Sequence, residues 1–323
     1  MPSMATTGAP GAPVLLADIG GTNARFALLH DGRLTEIQTL ATADFPNLPD
    51  AAAAYLGGLP ISAAAIAVAG PVTGARIGLT NCGWSFTRDD LAAALGISQI
   101  DLINDFTAQA LALPHYEKTD LTKIGPGKPV ADAPKAVIGP GTGLGVSGLV
   151  PAGADWIPLA TEGGHVTLAA VTREEEAVIA RLRDRFGHVS AERVLSGPGL
   201  THLLRAVTEI SGIAAAPETP DEITEAARTE SDAQAVRAVS LFCDFLGTVA
   251  GNLALTLGAT GGVYIGGGIV PALGERFAQS GFRARFEAKG RFQPWLHAVP
   301  TWAITAEHPA FAGLRALAEG SPP

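Results

Sequence analysis

This sequence predicts a duplicated α/β fold, on three observations. An apolar strand, Val14 to Leu16, runs into the glycine turn Asp18-Ile19-Gly20-Gly21-Thr22-Asn23 and resumes at Phe26 to Leu29. The same plan recurs at Ala136-Val137-Ile138, then Gly139-Pro140-Gly141-Thr142-Gly143-Leu144-Gly145, then Val146 to Val150. After each hairpin, strand and helix patterns follow one another along the chain.

In order, the alternating apolar run Ala63 to Val68 predicts a strand ending at Gly70-Pro71. Thr87 and Asp90 have capping-box spacing and open a short helix that stops at Gly96. Ile100 to Ile103 is a short buried strand, and Phe106 to Leu113 is a helix ending before Pro114, with Asn104-Asp105 at the junction. Residues 116–135, broken by Pro126, Pro129 and Pro134, read as the crossing between two halves. Past the second hairpin, Thr172 with Glu175 caps a helix, Ser190 precedes another, and Thr219-Pro220-Asp221-Glu222 starts a third. A long apolar helix from about Asp232 to Leu257 leads into the strand Gly262 to Ile265, the turn Gly266-Gly267-Gly268 and a helix start at Ile269-Val270-Pro271.

Composition narrows the function. Of 323 residues 47% are hydrophobic and 16% charged, at a mean hydropathy of +0.26, so the chain has ample apolar surface for a core. Against 31 Asp+Glu stand 22 Lys+Arg, a net charge of −9, which argues against binding nucleic acid or an anionic membrane. An anionic substrate must then be gripped locally, by backbone N–H groups or a metal. Cys82 and Cys243 form neither a disulfide framework nor a zinc motif, which suits a reducing cytoplasm. Met1 to Pro13 is small and uncharged, and reads as a disordered leader rather than a signal peptide. Phe245 to Gly274 carries no charge, but its glycines and Pro271 make it helix, turn, strand and turn rather than a membrane span.

The glycine turns carry the chemistry. In the first, Asp18 ends a strand beside glycines that let backbone approach a polyphosphate, and its carboxylate would hold a metal through water; the plain alternative is an ordinary hairpin. The second formally contains a dinucleotide fingerprint, Gly143 to Gly148. A β-branched run and Pro151 follow where that site needs a helix, so a hairpin with amides facing a phosphate is preferred. Gly266-Gly267-Gly268 would lie flat against a nucleoside or serve as a simple strand-to-helix turn. Asp105 is either an N-cap or a base that takes a proton from an attacking hydroxyl, kept ionised by the helix N-terminus. Glu162-Gly163-Gly164-His165 could bind vicinal hydroxyls, and Glu192 could simply complement the dipole of a helix opened by Ser190. No Ser-His-Asp logic and no P-loop of the G-x-x-x-x-G-K type is evident.

Six segments together resemble, in order and spacing, the bacterial glucokinases of the hexokinase and actin superfamily, from about Leu15 to the C-terminal region. They are Asp18 to Arg25, Ile103 to Phe106, Gly141 to Gly145, Glu162 to Val166, Ser190 to Gly197 and Gly266 to Pro271. The resemblance implies a two-domain actin-like ATPase (ribonuclease H-like) fold with a central cleft. Its small domain would be residues 1–115 completed by about 306–323, with 1–13 as leader, and its large domain residues 116–305. It also implies phosphorylation of D-glucose by ATP with Mg²⁺, in a cytoplasmic homodimer feeding glycolysis. Asp105 corresponds to the catalytic base, and Asn104, Asp105, Glu162, His165 and Glu192 to the sugar contacts. Ala17, Asp18, Ile19, Gly20, Gly21 and Thr22 correspond to the first phosphate motif, Gly141, Thr142 and Gly143 to the second, and Gly266, Gly267 and Gly268 to the nucleoside site, with Asp18 facing Mg²⁺ through water. The clustered cysteines of zinc-containing sugar kinases are missing, which points to the zinc-free group. The loop Thr80-Asn81-Cys82-Gly83-Trp84 departs from the pattern and would affect sugar preference. A sugar sensor without catalysis, a kinase of another hexose and a dinucleotide oxidoreductase are the competing readings.

Overall fold

The computed structural model describes residues 11–79, 82–213 and 219–320. The chain divides into two compact units, residues 1–116, 152–160 and 307–323 in the first, and residues 117–151 and 161–306 in the second.

The first unit is built on β1 (Val14–Ile19), β2 (Asn23–His30), β3 (Arg33–Ala41), β4 (Ala63–Val68) and β7 (Ile100–Asn104), in the order β3-β2-β1-β4-β7, with a small ribbon of β5 (Arg76–Gly78) and β6 (Ser85–Thr87). The hairpin strands β1 and β2 are antiparallel, while β1, β4 and β7 run parallel. Side chains alternate across a strand, so β1 serves two layers. Leu15, Ala17 and Ile19 pack with Leu48 and Ala51 of α1 (Leu48–Leu56) and Leu91 of α2 (Arg88–Leu95). Leu16 faces the other way, toward Ala108 of α3 (Asp105–Ala112) and Phe311 and Leu314 of the C-terminal helix Pro309–Ala318. By the same alternation Asp18 belongs to the α3 side. The two helices there approach closely: a Cβ on Gly313 would lie 1.9 Å from the Ala108 carbonyl oxygen. Asn47 and Thr87 cap α1 and α2, the latter in a full capping box with Asp90.

The second unit repeats the plan. β8 (Leu121–Lys123), β9 (Lys135–Pro140) and β10 (Leu144–Ala152) come first. Residues 152–160, with β11 (Asp155–Leu159), group with the first unit and not with the second as the sequence suggested, because β11 packs against α3. The chain then forms α4 (Arg173–Phe186), α5 (Gly197–Ser211), α6 (Pro220–Arg228), α7 (Ala233–Leu257), β12 (Val263–Ile265) and β13 (Thr301–Ile304). The strands of this unit follow the order β10-β9-β12-β13-β8 within a six-stranded sheet, in which β9 and β10 form an antiparallel hairpin and β9, β12 and β13 run parallel. The topology of β2-β1-β4-β7 thus recurs as β10-β9-β12-β13. α7, mean hydropathy 1.5, is long and apolar enough to cross a membrane on those criteria alone, yet 72% of that stretch is buried. It packs on α5, α6 and the short helix Phe282–Glu287, where Gly247 and Gly251 meet the Phe282 and Phe286 carbonyls.

Three local expectations change. Ser190 does not open a helix: it joins an isolated bridge with Thr167 and receives the Arg193 N–H, and the helix starts at Gly197 with Ser196 as cap. The leader is anchored from Gly11 onward, since Ser62 donates to the Ala12 and Pro13 carbonyls and the Gly11 carbonyl meets the His30 ring; residues 1–10 lie outside the described residues. Of the unusual loop, Thr80 and Asn81 also lie outside them, while Trp84 is buried in the core of the first unit.

Candidate active site

In the first unit, strand register sets the geometry. Asp18 on β1 lies opposite Arg25 on β2, and their side chains form an ion pair at 3.4 Å. Between them Gly20 N–H donates to the Asn23 carbonyl at 2.9 Å and closes the turn. Thr42, buried and beyond β3, braces this turn: its hydroxyl donates to the Gly21 carbonyl at 2.8 Å and its N–H to the Thr22 carbonyl at 2.9 Å. Sequence reasoning missed Thr42. Its only signal is a Thr at the end of a strand, one of several such residues.

The junction of β7 and α3 separates the roles of Asn104 and Asp105. Asn104 is the cap: Oδ1 accepts from Phe106 and Thr107 N–H at 2.9 and 3.2 Å, and Nδ2 donates to the Gly70 carbonyl at 3.2 Å. Asp105 therefore occupies the first helical position and not the cap, with Oδ1 also taking the Phe106 N–H at 2.9 Å. The expectation that the helix N-terminus keeps it ionised fails. Burial and the negative charge of Asp18 outweigh the amide and Asn104 hydrogen bonds and push its carboxyl up to about 7. Burial also raises Asp18, opposed by Arg25 and, less strongly, by His308 at the start of the C-terminal helix. Ala17 and Ile19 flank Asp18 as core side chains, so they can contribute only backbone to a ligand.

In the second unit, hydrogen bonds tie the hairpin to Glu192 and Gly164, with His165 and Glu162 beside them. Gly141 N–H donates to the Gly143 carbonyl at 2.8 Å, which makes Gly141-Thr142-Gly143 a tight hairpin with no helix at the glycines. Leu144 N–H donates to Glu192 Oε2 at 2.9 Å, and Glu192 N–H to the Gly164 carbonyl at 2.8 Å. Glu192 thus reaches the hairpin instead of serving a helix dipole. His165 lies 3.9 Å from Glu162 Oε2 and 3.8 Å from Glu192 Oε1, with its ring mostly exposed, so the three side chains share one patch. Gly164 and Gly267 are required by close approach: a Cβ would stand 2.1 Å from the Leu144 and Pro140 carbonyl oxygens respectively. Gly266 N–H donates to the Ile138 carbonyl at 2.9 Å, and Gly267 has φ +77°, so the glycine run is a turn pressed against the hairpin before the short helix Ile269–Leu273.

Each unit therefore holds a glycine hairpin beside polar groups suited to a small polar ligand: a carboxyl poised near neutrality in the first, two carboxylates and an imidazole in the second. Among the described residues, no group of three or more His, Cys, Asp or Glu could hold a metal by itself.

Comparison with known proteins gives this chemistry a family. The chain is 51% identical over 310 residues to a glucokinase of Paramagnetospirillum magneticum, covering 94% of this chain and 97% of that one. A glucokinase from an Antarctic psychrotroph, 38% identical, superposes with a TM-score of 0.84 over 95% of this chain and 98% of that chain. A ROK-family glucokinase from Streptomyces griseus, solved with glucose and AMPPNP, is 20% identical and shares the fold at a TM-score of 0.65, over 94% of this chain and 98% of that chain. The architecture is the actin-like ATPase fold of the sugar kinases. A family model described as Glucokinase matches residues 15–321, a span that takes in both hairpins, the Asn104-Asp105 junction and the Glu162, His165 and Glu192 patch, and the chain belongs to the glucokinase family.

Proposed function

We propose that this protein transfers the γ-phosphoryl group of ATP to the 6-hydroxyl of D-glucose, with Asp105 as the base. The observation that carries the reading is the place of Asp105 at the first position of α3, directly after β7, where burial and the charge of Asp18 lift its carboxyl to about 7. A base with a pKa near the working pH is about half ionised there and holds a proton well once it accepts one, the balance that general base catalysis needs. Phe106 N–H occupies Oδ1, so Oδ2 is the oxygen assigned to the sugar hydroxyl. Phosphoryl transfer runs through a loose transition state in which positioning matters most, and a weak base suffices.

Asn104, Glu162, His165 and Glu192 take the remaining sugar hydroxyls. Carboxylates accept hydrogen bonds from hydroxyls, an imidazole nitrogen can pair with one, and Asn104, its Oδ1 taken by the cap, has a second Nδ2 N–H to donate. The turns at 17–22 and 141–143 offer backbone N–H groups to the phosphates, in keeping with a chain of net charge −9 that has no Lys in either turn. Gly266, Gly267 and Gly268 leave flat backbone for the nucleoside.

Mg²⁺ fits the residues present. Burial leaves the Asp18 carboxyl raised despite its Arg25 partner, and Asp18 lifts Asp105 in turn, so a hard cation nearby would relieve both. One carboxylate with water in the other positions suits this ion, which keeps much of its hydration shell. Bound with ATP, it supplies neutralisation of the polyphosphate charge. We further propose a cytoplasmic homodimer, the state that the family resemblance implies, to be checked by sedimentation.

The test is ADP formation with glucose, mannose, fructose and N-acetylglucosamine, with and without Mg²⁺, repeated with Asp105→Ala. Glucose-dependent, Mg²⁺-dependent turnover that this variant loses is the expected result. Substantial turnover by the variant removes Asp105 as base, and glucose binding without ADP release makes the protein a sensor.

A further inference from the structure

Inside the second unit, one carboxylate joins two groups of residues that the proposed reaction uses separately. Glu192 lies with Glu162 and His165 in the sugar patch, yet its Oε2 accepts the N–H of Leu144 at 2.9 Å, the amide that leaves the Gly141-Thr142-Gly143 turn. The main chain under it is fixed. Glu192 N–H donates to the Gly164 carbonyl at 2.8 Å, its carbonyl accepts the Ser196 hydroxyl at 2.9 Å, and Gly197 N–H holds the Gly141 carbonyl at 2.8 Å. The side chain has room to turn, being 34% exposed, and Oε1 already lies 3.8 Å from His165 Nδ1 on the sugar side. The carboxylate fits against the turn because residue 143 lacks a side chain: a Cβ on Gly143 would stand 2.6 Å from Oε2.

A carboxylate oxygen on a backbone N–H occupies the place that a phosphate oxygen would take. The amide serves one anion well, and a polyphosphate arriving at this turn meets the negative charge of Glu192. We propose that Leu144 N–H is a further phosphate-binding donor of the nucleotide site, covered by Glu192 when no sugar is bound and uncovered when a hexose draws that carboxylate onto its hydroxyls. The inference rests on the assignment above of the turn to phosphate and of Glu192 to sugar. The exchange is balanced, since the carboxylate loses an amide donor and gains a hydroxyl donor. The polyphosphate then finds one more donor and one fewer opposing charge. Sugar thereby strengthens nucleotide binding, and by reciprocity nucleotide strengthens sugar binding.

The full-length protein tests this by two measurements. One is calorimetric binding of Mg²⁺ with AMPPNP, in the absence of sugar and at saturating glucose. The other is the amide resonance of Leu144 in protein labelled with nitrogen-15 leucine. Glucose alone should move the Leu144 resonance away from its carboxylate-bonded position and tighten AMPPNP about tenfold, within the usual range of coupling between sites. In Glu192→Ala, AMPPNP without sugar should bind about as tightly as it binds wild type with sugar, and sugar should add no further factor. In Glu192→Gln, a neutral acceptor remains, so sugar-free AMPPNP binding should fall between the two. Glucose that binds wild type but leaves the Leu144 resonance and the AMPPNP affinity unchanged overturns the proposal while the proposed function stands. Glucose that does not bind by equilibrium dialysis, with or without AMPPNP, or AMPPNP that leaves the Leu144 resonance unperturbed at saturating glucose, overturns both.

Discussion

Asp18 on β1 raises the carboxyl pKa of Asp105 on α3, adding its negative charge to a burial effect that already disfavours ionisation. The relationship follows from strand alternation, which turns Asp18 toward the face of β1 that α3 covers. Two carboxyl groups are thereby set against each other in one unit, with Arg25 as the partial counterweight.

The first prediction concerns pH. Only ionised Asp105 accepts a proton, so kcat/KM for the Mg²⁺-nucleotide, which reports the enzyme before the cation arrives, should fall as pH drops below about 7, with unit slope. Asp18→Asn removes the repelling charge and should shift that acidic limb to lower pH while it reduces the rate. A limb that stays in place in Asp18→Asn would separate the two carboxyls functionally.

The second concerns stability. A carboxyl raised from its unfolded value near 4 to about 7 in the folded protein favours folding in its protonated form. That contribution is present at low pH and is lost as pH rises through about 7. Asp105→Asn cannot lose it. The variant should fall about 10²–10⁴-fold in kcat, the usual share of a general base, yet melt higher than wild type at pH 8, by a margin that shrinks at pH 5. Thermal melts at both values check the sign.

The third contrasts two glycines. In Gly164→Ala the new Cβ meets the Leu144 carbonyl oxygen at 2.1 Å, backbone against backbone, and overpacking of that kind costs about 1–3 kcal/mol. In Gly143→Ala it meets the tip of Glu192, which can turn aside. The first variant should show mainly a lower denaturation midpoint, the second mainly changed KM values with a midpoint near wild type.

The fourth concerns Thr42. Thr42→Val removes the hydroxyl that holds the Gly21 carbonyl and should cost about 1 kcal/mol in urea unfolding, as for a typical buried hydrogen bond. It should also raise KM for ATP through the loosened turn. Thr42→Ser, which keeps the hydroxyl, should restore KM.

Much of this was legible in the sequence because the relevant signals are local. A strand that stops at Asp18-Ile19-Gly20-Gly21, a capping box at Thr87 and Asp90, and Asp232 before a long apolar helix each state their structure within a few residues. What was not legible depends on partners distant in sequence. Ser190 followed by Glu192 has the form of a helix start, yet Glu192 is claimed by Leu144 and Gly164, and the helix waits for Ser196. A carboxylate at the first turn of α3 ought to be ionised by the helix alone; burial, joined by the charge of Asp18 from distant β1, reverses that. The exposed, mixed sequence of β3 carries no alternation, which hid both the strand and the Thr42 brace beyond it.

The apolar surface of α7 is covered in part by Phe282 and Phe286, residues encoded after it. In synthesis from the N-terminus α7 is made before these two residues, so its apolar surface stays partly uncovered until the downstream segment folds back onto it. Until it does, α7 offers chaperones and neighbouring chains an open apolar surface, so a lesion that weakens the docking of residues 282–286 would turn a folding chain into an aggregating one.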